Sequence, residues 1–556
     1  MVRTSVLGGE SKTRGLFAGR RSRAAFVAWA VFAIAGAVTV MYGGLLAAVI
    51  VGVVGVALFF LLADTGSGSS TAGRVQRRVR MWARRRDGWD NFVPIAWRPA
   101  DLVDGAGRTR SERRASHQLW NAHRSLPDGV DGLYWLEKRP GQPAVAYHSP
   151  RAGGPDAAFL TVAYAVDGPI KGLHGDGFVS GCQEAFGELL AGWGSAQKLV
   201  SGVQIVTRVL PADSAFHELW LEGELDPAAP PLLQREYGKL LDDLSANSFV
   251  QRHYVVVRWN LTPRFRRMSN RRAPGPQGWL ETVQDQLPMV EHRLREARYS
   301  RVTALSGPRL AAVLRHLQHP DWPIDRASDV TPDTCWLPSH DEWAWTETVS
   351  EPPDPTDPTL ILPSTSWYHR TAVVPAAALE VRELNGLWLA PLLIGMDEQI
   401  VRTIAVHHQL IPAPEAKVQA RMDATSDRAD MVGEARKGRL IGDGTELALS
   451  ASMRRLQDLA DGVGVHGDEW VAYITVSARS ADELGAACAH IEEAADTAGI
   501  GRLDWQDTLQ SAAHANTWPL GRGIVPPKRS RATRAVERLS GESRSELGGG
   551  RQPTAV

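Results

Sequence analysis

The sequence predicts an α/β (or α+β) cytosolic region with two related strand–helix units, preceded by a two-helix transmembrane hairpin. Two observations lead to this fold class. Forty consecutive residues, 24–63, carry no charged side chain. From residue 91 onwards, short β-rich apolar runs alternate with longer stretches of helical periodicity, a pattern typical of layered α/β and α+β domains.

The uncharged run is long enough for two membrane passes. One helix needs roughly 20 apolar residues to cross the hydrocarbon core, so Ala24–Met41 and Leu45–Ala63 each fit one pass. The residues between them, 42–44, suit an interfacial turn. A secretory signal peptide is excluded, because its apolar core is far shorter. A buried helical hairpin of a soluble protein is the remaining alternative.

Basic residues on both sides of the run set the expected orientation. Residues 1–23 form a basic N-terminus with six basic side chains and one acid, Glu10. Residues 64–90 form a basic linker with no acid from Thr65 to Arg86. Because positively charged flanks stay on the cytoplasmic side, we expect a two-pass protein of the cell membrane with both termini in the cytoplasm.

The linker supplies the candidate site residues. Its arginines alternate with apolar side chains and predict an amphipathic stretch that contacts anionic lipid headgroups, each arginine contributing on the order of 1 kcal/mol. The alternative is that they act only as the determinant of topology. These residues are Arg74, Arg77, Arg78, Arg80, Arg84, Arg85 and Arg86.

The cytosolic region divides into two predicted domains, 91–345 and 366–524, joined by an acidic, proline-rich linker at 346–365. After each of the strand-like runs His253–Trp259 and Val471–Ser477, the order is a helix of about twenty residues, a short strand and another helix. The shared order predicts the two related units. The tail, 525–556, is rich in Pro, Arg, Ser and Gly and is expected to be disordered.

Individual elements are predicted from apolar periodicity. The predicted strands are 159–166, 203–210, 253–259, 302–305, 366–374, 399–407 and 471–477. The predicted helices are 178–200, 232–247, 278–299, 308–317, 446–460, 481–498 and 505–514. Ser480 is the expected N-cap of the helix that begins at Ala481.

The sequence indicates no catalytic, cofactor or metal site. Gly433–Leu440 has the glycine spacing of a phosphate loop but lacks the lysine and the Ser/Thr that such a loop requires. His174–Asp176 and His466–Asp468 share the triplet His-Gly-Asp, which we interpret as turns. Ser339–Glu342 places Ser, His and acids in a row, but a triad is assembled from separate elements. Three distant cysteines favour neither a disulfide framework nor a zinc site.

The order of elements resembles a known family. The relevant segments are the hairpin, the basic cluster, 253–259 with its following helix, 471–499 and 510–523. Together they resemble actinobacterial integral membrane proteins found with conjugative, type IV-like transfer systems. The cytosolic part of those proteins is similar to the non-ATPase N-terminal region of VirB-type transport ATPases. A second resemblance is to EccE, a membrane component of type VII secretion.

The resemblance implies a non-catalytic structural subunit of a bacterial inner-membrane secretion or conjugative DNA-transfer complex. Its expected partners are membrane lipids, a separate transport ATPase and other membrane subunits, within an oligomeric complex. Direct nucleic-acid binding is not expected, because the formal net charge is zero. The alternatives are an EccE-like component of a type VII complex and a membrane-tethered hydrolase, with His174, His340 or His466 in its site.

Overall fold

The fold is that of a computed structural model, which describes the central part of the chain with several gaps. The described residues are 5–7, 71–149, 158–170, 172, 174–195, 197–211, 230–246, 249–324, 330–350, 366–374, 378–380, 382–384, 386–394, 396, 399–436, 443–459 and 465–523.

The described strands are β1 (Ser5–Leu7), β2 (Asn91–Pro94), β3 (His123–Arg124), β4 (Leu133–Glu137), β5 (Val145–His148), β6 (Phe159–Asp167), β7 (Gly202–Pro211), β8 (Phe249–Asn260), β9 (Ser300–Ala304), β10 (Ser339–Asp341), β11 (Thr346–Val349), β12 (Ser366–Val374), β13 (Arg382–Leu384), β14 (Val401–Ile411), β15 (Gly467–Ala478) and β16 (Asp504–Trp505).

The described helices are α1 (Thr71–Asp87), α2 (Arg110–Ala122), α3 (Asp176–Gly194), α4 (Pro231–Ala246), α5 (Pro263–Ser269), α6 (Pro276–Glu296), α7 (Gly307–Gln318), α8 (Ala390–Leu393), α9 (Ala413–Arg436), α10 (Asp443–Asp458), α11 (Ala481–Thr497) and α12 (Gln510–His514).

Fourteen of the described strands form one mixed sheet. Twelve follow the order β3-β2-β10-β11-β12-β15-β14-β7-β8-β6-β5-β4, while β9 pairs with β6 and β16 with β12. Only the β2–β3 pair is parallel among the described pairs of this sheet. The separate pair β1–β13 is antiparallel.

The sheet contains the same arrangement twice. In the first unit, the hairpin β4–β5 leads to β6, and β6, β7, β8 and β9 lie in the order β9-β6-β8-β7. In the second unit, the hairpin β10–β11 leads to β12, and the equivalent order is β16-β12-β15-β14. Each set of four has the strand order of a ferredoxin-like β-α-β-β-α-β motif. Helices are inserted at the same place in both units: α4 lies between β7 and β8, and α9 and α10 lie between β14 and β15.

The two faces of the sheet differ in chemistry. On one face, α3 and α6 cover an apolar cluster of the first unit, and α11 covers an equivalent cluster of the second. On the other face, α7 and the C-terminal segment 510–523 pack over a mixture of apolar and polar side chains. This second face therefore encloses buried polar side chains along the centre of the sheet, among them Gln204, Arg208 and Thr403.

The prediction of two separate cytosolic α/β units is wrong, because their strands belong to one sheet. We expected two α/β units, whereas the structure is a mixed α/β domain in which β7 of the first unit pairs with β14 of the second. The physical reason is that each strand would otherwise be an edge with unpaired backbone groups. Apolar alternation within a strand does not indicate which distant strand completes its hydrogen bonding.

The predicted transmembrane hairpin and two-pass membrane localisation are also corrected. Within the part of the chain that the structure describes, no helix is both long enough and apolar enough to cross a membrane. The longest of these helices, α9 and α6, carry several charged side chains, whose insertion into hydrocarbon is costly. Residues 24–63 lie outside the described residues. Neither the hairpin nor the localisation is retained.

Several predicted elements have different limits in the structure. Helix α3 ends at Gly194, not at residue 200, because the chain turns towards β7. In the predicted helix 505–514 only Gln510–His514 is helical, since Trp505 pairs with β12 as part of β16. Of the predicted linker, residues 346–349 form β11, and 351–365 lie outside the described residues, as does the tail, 525–556.

The shared sheet predicts that the two units unfold together. Replacing Ile474 in β15 by Ala removes buried apolar volume and should cost about 3 kcal/mol. If the sheet is one cooperative unit, the most protected amides of Val255–Val257 in β8 should exchange about a hundredfold faster, although they belong to the other unit.

Hydrogen exchange measured by mass spectrometry checks this expectation. Val418, exposed on α9, is the matched position for a control substitution to Ala and should leave both units unchanged. Faster exchange confined to β12, β14 and β15 in the Ile474→Ala variant would show that the units are independent.

Candidate docking helix and its anchor

Helix α1 contains all seven arginines predicted as site residues and has two distinct faces. One face contacts the body of the protein: Met81 is buried, and Arg84 is largely buried. The opposite face carries Val75, Val79 and Trp82, which are 52%, 58% and 60% exposed. Because these three positions follow helical spacing, they form one apolar stripe.

Arg84 anchors the helix to the body. Its Nη2 atom lies 2.6 Å from Oδ2 of Asp341 and 2.8 Å from Oδ2 of Asp128. The same nitrogen donates to the carbonyl oxygen of Trp89 at 2.9 Å. Burial alone would lower the pKa of Arg84, but the carboxylates of Asp341 and Asp128 together raise it. The guanidinium therefore remains charged.

Asp341 is the centre of this anchor and is fully buried. The backbone N–H of Ser511 donates to its Oδ1 at 3.0 Å, and the hydroxyl of Ser511 donates to its Oδ2 at 2.8 Å. Burial raises the pKa of Asp341, while Arg84 opposes that shift. Since β10 carries Asp341 and α12 carries Ser511, the anchor joins α1, the sheet and the C-terminal segment.

A second arginine completes the anchor from the segment after α2. Arg124 Nη2 lies 3.2 Å from Oδ1 of Asp128, and its guanidinium lies over the ring of Trp89 at 4.7 Å from the centroid. Burial is the main cause that lowers the pKa of Arg124. Arg84, Arg124, Asp128 and Asp341 thus form a cluster of two cations and two carboxylates. Such a cluster is geometrically specific because removal of one partner leaves a buried charge uncompensated.

The remaining arginines of α1 lie at or near its surface. Arg78, Arg85 and Arg86 are exposed; Arg85 pairs with Glu342, and Arg86 lies over the Trp82 ring at 5.5 Å. The others are Arg77 and Arg80, which are half-buried, and Arg74, which belongs to the helix. The exposed face thus combines an apolar stripe with arginines, a composition typical of helices that lie on anionic surfaces.

The predicted site residues are therefore divided by the structure. Arg84 acts inside the protein, and the exposed arginines face outward. Sequence reasoning did not find Asp128, Asp341, Arg124 or Ser511. Asp341 lies 257 positions from Arg84, and no motif links residues at such a separation. In the sequence, Asp341 is recognisable only as an acid beside Ser339 and His340, a pattern that does not indicate a contact with Arg84.

The residues of the hydrolase alternative are not brought together. Along β10 successive side chains point to opposite faces; Asp341 contacts Arg84, whereas His340 contacts Asn91 and Glu342, at 2.8 and 3.3 Å. Ser339–Glu342 is therefore not a triad.

The two His-Gly-Asp triplets are not turns, so that interpretation was wrong. Gly175 is the N-cap of α3 with a φ of −70°, and Gly467 begins β15. His466 accepts a hydrogen bond from the backbone N–H of Ala413 at 3.0 Å. Asp468 lies 2.7 Å from His408. These histidines belong to different elements and to local contacts.

Gly433, the first residue of the glycine-spaced stretch, lies inside α9 and not after a strand. Residues 437–442 lie outside the described residues. Among the residues that are described, no group of three or more His, Cys, Asp or Glu side chains could hold a metal ion.

Comparison with known proteins gives no family for this chain. No protein-family model matches it, and no curated protein matches it significantly.

The anchor predicts a large effect of Arg84 on stability. Replacing Arg84 by Met should lower the free energy of unfolding by about 3 kcal/mol, because Asp341 and Asp128 would lose a buried counter-ion. The matched control is Arg86→Met, an exposed position on the same helix, for which we expect less than about 0.5 kcal/mol.

Urea denaturation measures both variants, and an additional Asp341→Asn substitution separates charge from packing. In the Arg84→Met background, Asp341→Asn should restore part of the lost free energy of unfolding, since the amide carries no charge that needs a counter-ion. Equal stability of the two single variants would contradict the anchoring role.

Proposed function

We propose that this protein is a non-catalytic structural subunit of a bacterial secretion or conjugative DNA-transfer complex, in which it docks a separate transport ATPase. The observation that carries the proposal is the repeated ferredoxin-like strand order in one sheet, with helices inserted between the second and third strands of each unit. The resemblance to type IV-like transfer proteins supports the same function, and an EccE-like role in type VII secretion is the alternative within this class.

One inserted helix offers a surface suited to a protein partner. On α4, Leu232, Leu233 and Leu240 are 60%, 60% and 51% exposed. Leu233 and Leu240 are seven residues apart and so lie on the same side of the helix. A group of neighbouring exposed apolar side chains marks an interaction site more often than a surface with scattered apolar side chains does. We therefore assign the ATPase-docking surface to this side of α4.

This surface predicts the outcome of a capture experiment. The tagged full-length protein, isolated from its native host, should recover a transport ATPase identified by mass spectrometry. The double variant Leu233→Glu/Leu240→Glu should lose at least nine-tenths of that recovery, because a charged side chain would be buried in the interface. The control Val418→Glu, at an exposed position of α9, should retain it. Recovery of the ATPase by the α4 variant at the wild-type level would exclude this surface.

A second proposed contact concerns the exposed face of α1. We propose that Val75, Val79 and Trp82, with Arg78 and Arg86, bind an anionic lipid surface peripherally. The apolar stripe would lie at the boundary between the headgroups and the acyl chains, while the arginines would contact the lipid phosphates. The contact requires no membrane-spanning segment.

Vesicle binding tests this contact. Binding of the full chain to vesicles with anionic lipid should exceed binding to neutral vesicles, and Arg78→Gln/Arg86→Gln should weaken it about thirtyfold at low salt, at roughly 1 kcal/mol for each arginine. The control Arg293→Gln/Arg295→Gln removes two exposed arginines of α6 and should change binding less than twofold. Equal losses in the two double variants would mean that α1 is not the lipid-binding face.

A further inference from the structure

The polar face of the sheet contains a fully buried guanidinium, Arg208 of β7. Its Nη1 atom donates to the hydroxyl of Thr403 on β14 at 2.7 Å. Its Nε and Nη2 atoms are buried and have no hydrogen-bond partner among the atoms of the protein. These two nitrogens form one side of the planar guanidinium, the side that binds carboxylates and other oxyanions with two parallel hydrogen bonds.

The surroundings of Arg208 do not neutralise its charge. Among the described residues, no carboxylate forms an ion pair with it, and Arg252 of β8 lies directly opposite in the sheet register. Like charges opposite one another destabilise a strand pair. Burial lowers the pKa of Arg208 to about 9, so the group is still a cation at neutral pH. An unpaired buried charge is costly unless a counter-charge or strong hydrogen bonds compensate it.

Three imidazoles lie around this cation without supplying charge. Burial, with Arg208 as a further cause, lowers the pKa of His316 and of His369 to about 3, and burial lowers that of His514 well below its usual value. The rings of His369 and His514 stack at 4.4 Å. Asp321, which lies 4.0 Å from the nearby His319, is itself paired with Arg479. Among the described residues, the imidazoles therefore leave the guanidinium of Arg208 without a compensating negative charge.

Arg402, on the strand next to Arg208, is a buried arginine whose guanidinium nitrogens all form hydrogen bonds with the protein. Arg402 of β14 is also fully buried, on the other face of the sheet, and its three nitrogens donate to the carbonyl oxygens of Leu392, Ile400 and Leu393 at 2.6, 2.9 and 3.1 Å. These bonds also satisfy carbonyls at the end of α8. The protein thus saturates the guanidinium of Arg402 with hydrogen bonds but leaves two nitrogens of Arg208, on the adjacent strand, without a partner.

We propose that the Nε–Nη2 side of Arg208 binds a small monovalent inorganic anion, such as chloride, which acts as a structural ligand. The full burial of Arg208, Thr403 and His369 restricts the ligand to a small ion. Because α7 carries His316 and α12 carries His514, the ion would join the sheet to the two elements that cover its polar face. The proposal is independent of the docking function.

Halide-dependent stability tests the site with the full-length protein. At fixed ionic strength, replacing up to about 50 mM gluconate by bromide should raise the Tm of the wild type by about 2 °C, since an ion that binds only the folded state stabilises it. Arg402→Met should keep this response, and Arg208→Met should abolish it. An equal response in both variants would overturn the proposal.

A crystallographic measurement covers the case in which Arg208→Met does not fold. Crystals of the wild type grown in bromide should give an anomalous peak within hydrogen-bonding distance of both Nε and Nη2 of Arg208. A water molecule at that position, donating to the imidazole nitrogens of His316 or His514, would overturn the proposal, as would bromide bound elsewhere only.

Discussion

The pairing of β7 with β14 is the interaction on which the rest of the structure depends. Eight register pairs, from Arg402–Val209 to Gln409–Gly202, join the second strand of one unit to the second strand of the other. Without this pairing each strand would be a sheet edge whose backbone groups could template non-native association. With it, two similar units become one sheet, and the polar residues of both units are enclosed beneath the same covering elements.

The pairing of β7 with β14 also determines where Arg208 and the buried hydroxyl groups lie. Arg208 and Thr403 face each other across it, and the row of hydroxyls continues through Thr475 to Thr371, whose oxygens are 2.8 Å apart. The C-terminal segment closes over this row through Thr517, at 3.0 Å from Thr475. A second charged cluster, around Asp341, fixes α1 at the edge of the same body. Thus the buried polar groups hold the covering segments in position, while the apolar faces supply most of the hydrophobic stabilisation.

Local features of the sequence predicted many elements correctly, because their causes are local. Ser480 caps α11, with its hydroxyl accepting from the N–H of Glu483 at 3.2 Å, as the capping pattern indicated. Strand β12 has its predicted limits, Ser366–Val374. The strand β7 and the helix α7 lie within one residue of their predicted limits. The short strands β2, β4, β5, β10 and β11 were not predicted, since three to five residues carry little periodicity.

Long-range features were not predictable in the same way. The β7–β14 pairing, the Arg84–Asp341 contact and the cross-strand opposition of Arg208 and Arg252 join residues that no spacing rule relates. The strong hydropathy of 24–63 led to a membrane assignment that the described helices do not support. The exposed stripe of α1 was inferred from sequence, but the inward role of Arg84 required the structure.

The direct measurement of the central claim is disulfide formation across the junction. Ile205 and Val406 are directly opposed, on the same face, and partly accessible, and opposed residues of antiparallel strands have the separation that a disulfide requires. The double variant Ile205→Cys/Val406→Cys should therefore oxidise to an internal cross-link, detected by intact mass and peptide mapping, while Ile205→Cys/Ala405→Cys, one residue out of register, should not. Cross-linking of the second pair but not the first, or of neither pair in folded protein, would contradict the joining of the two units by β7 and β14.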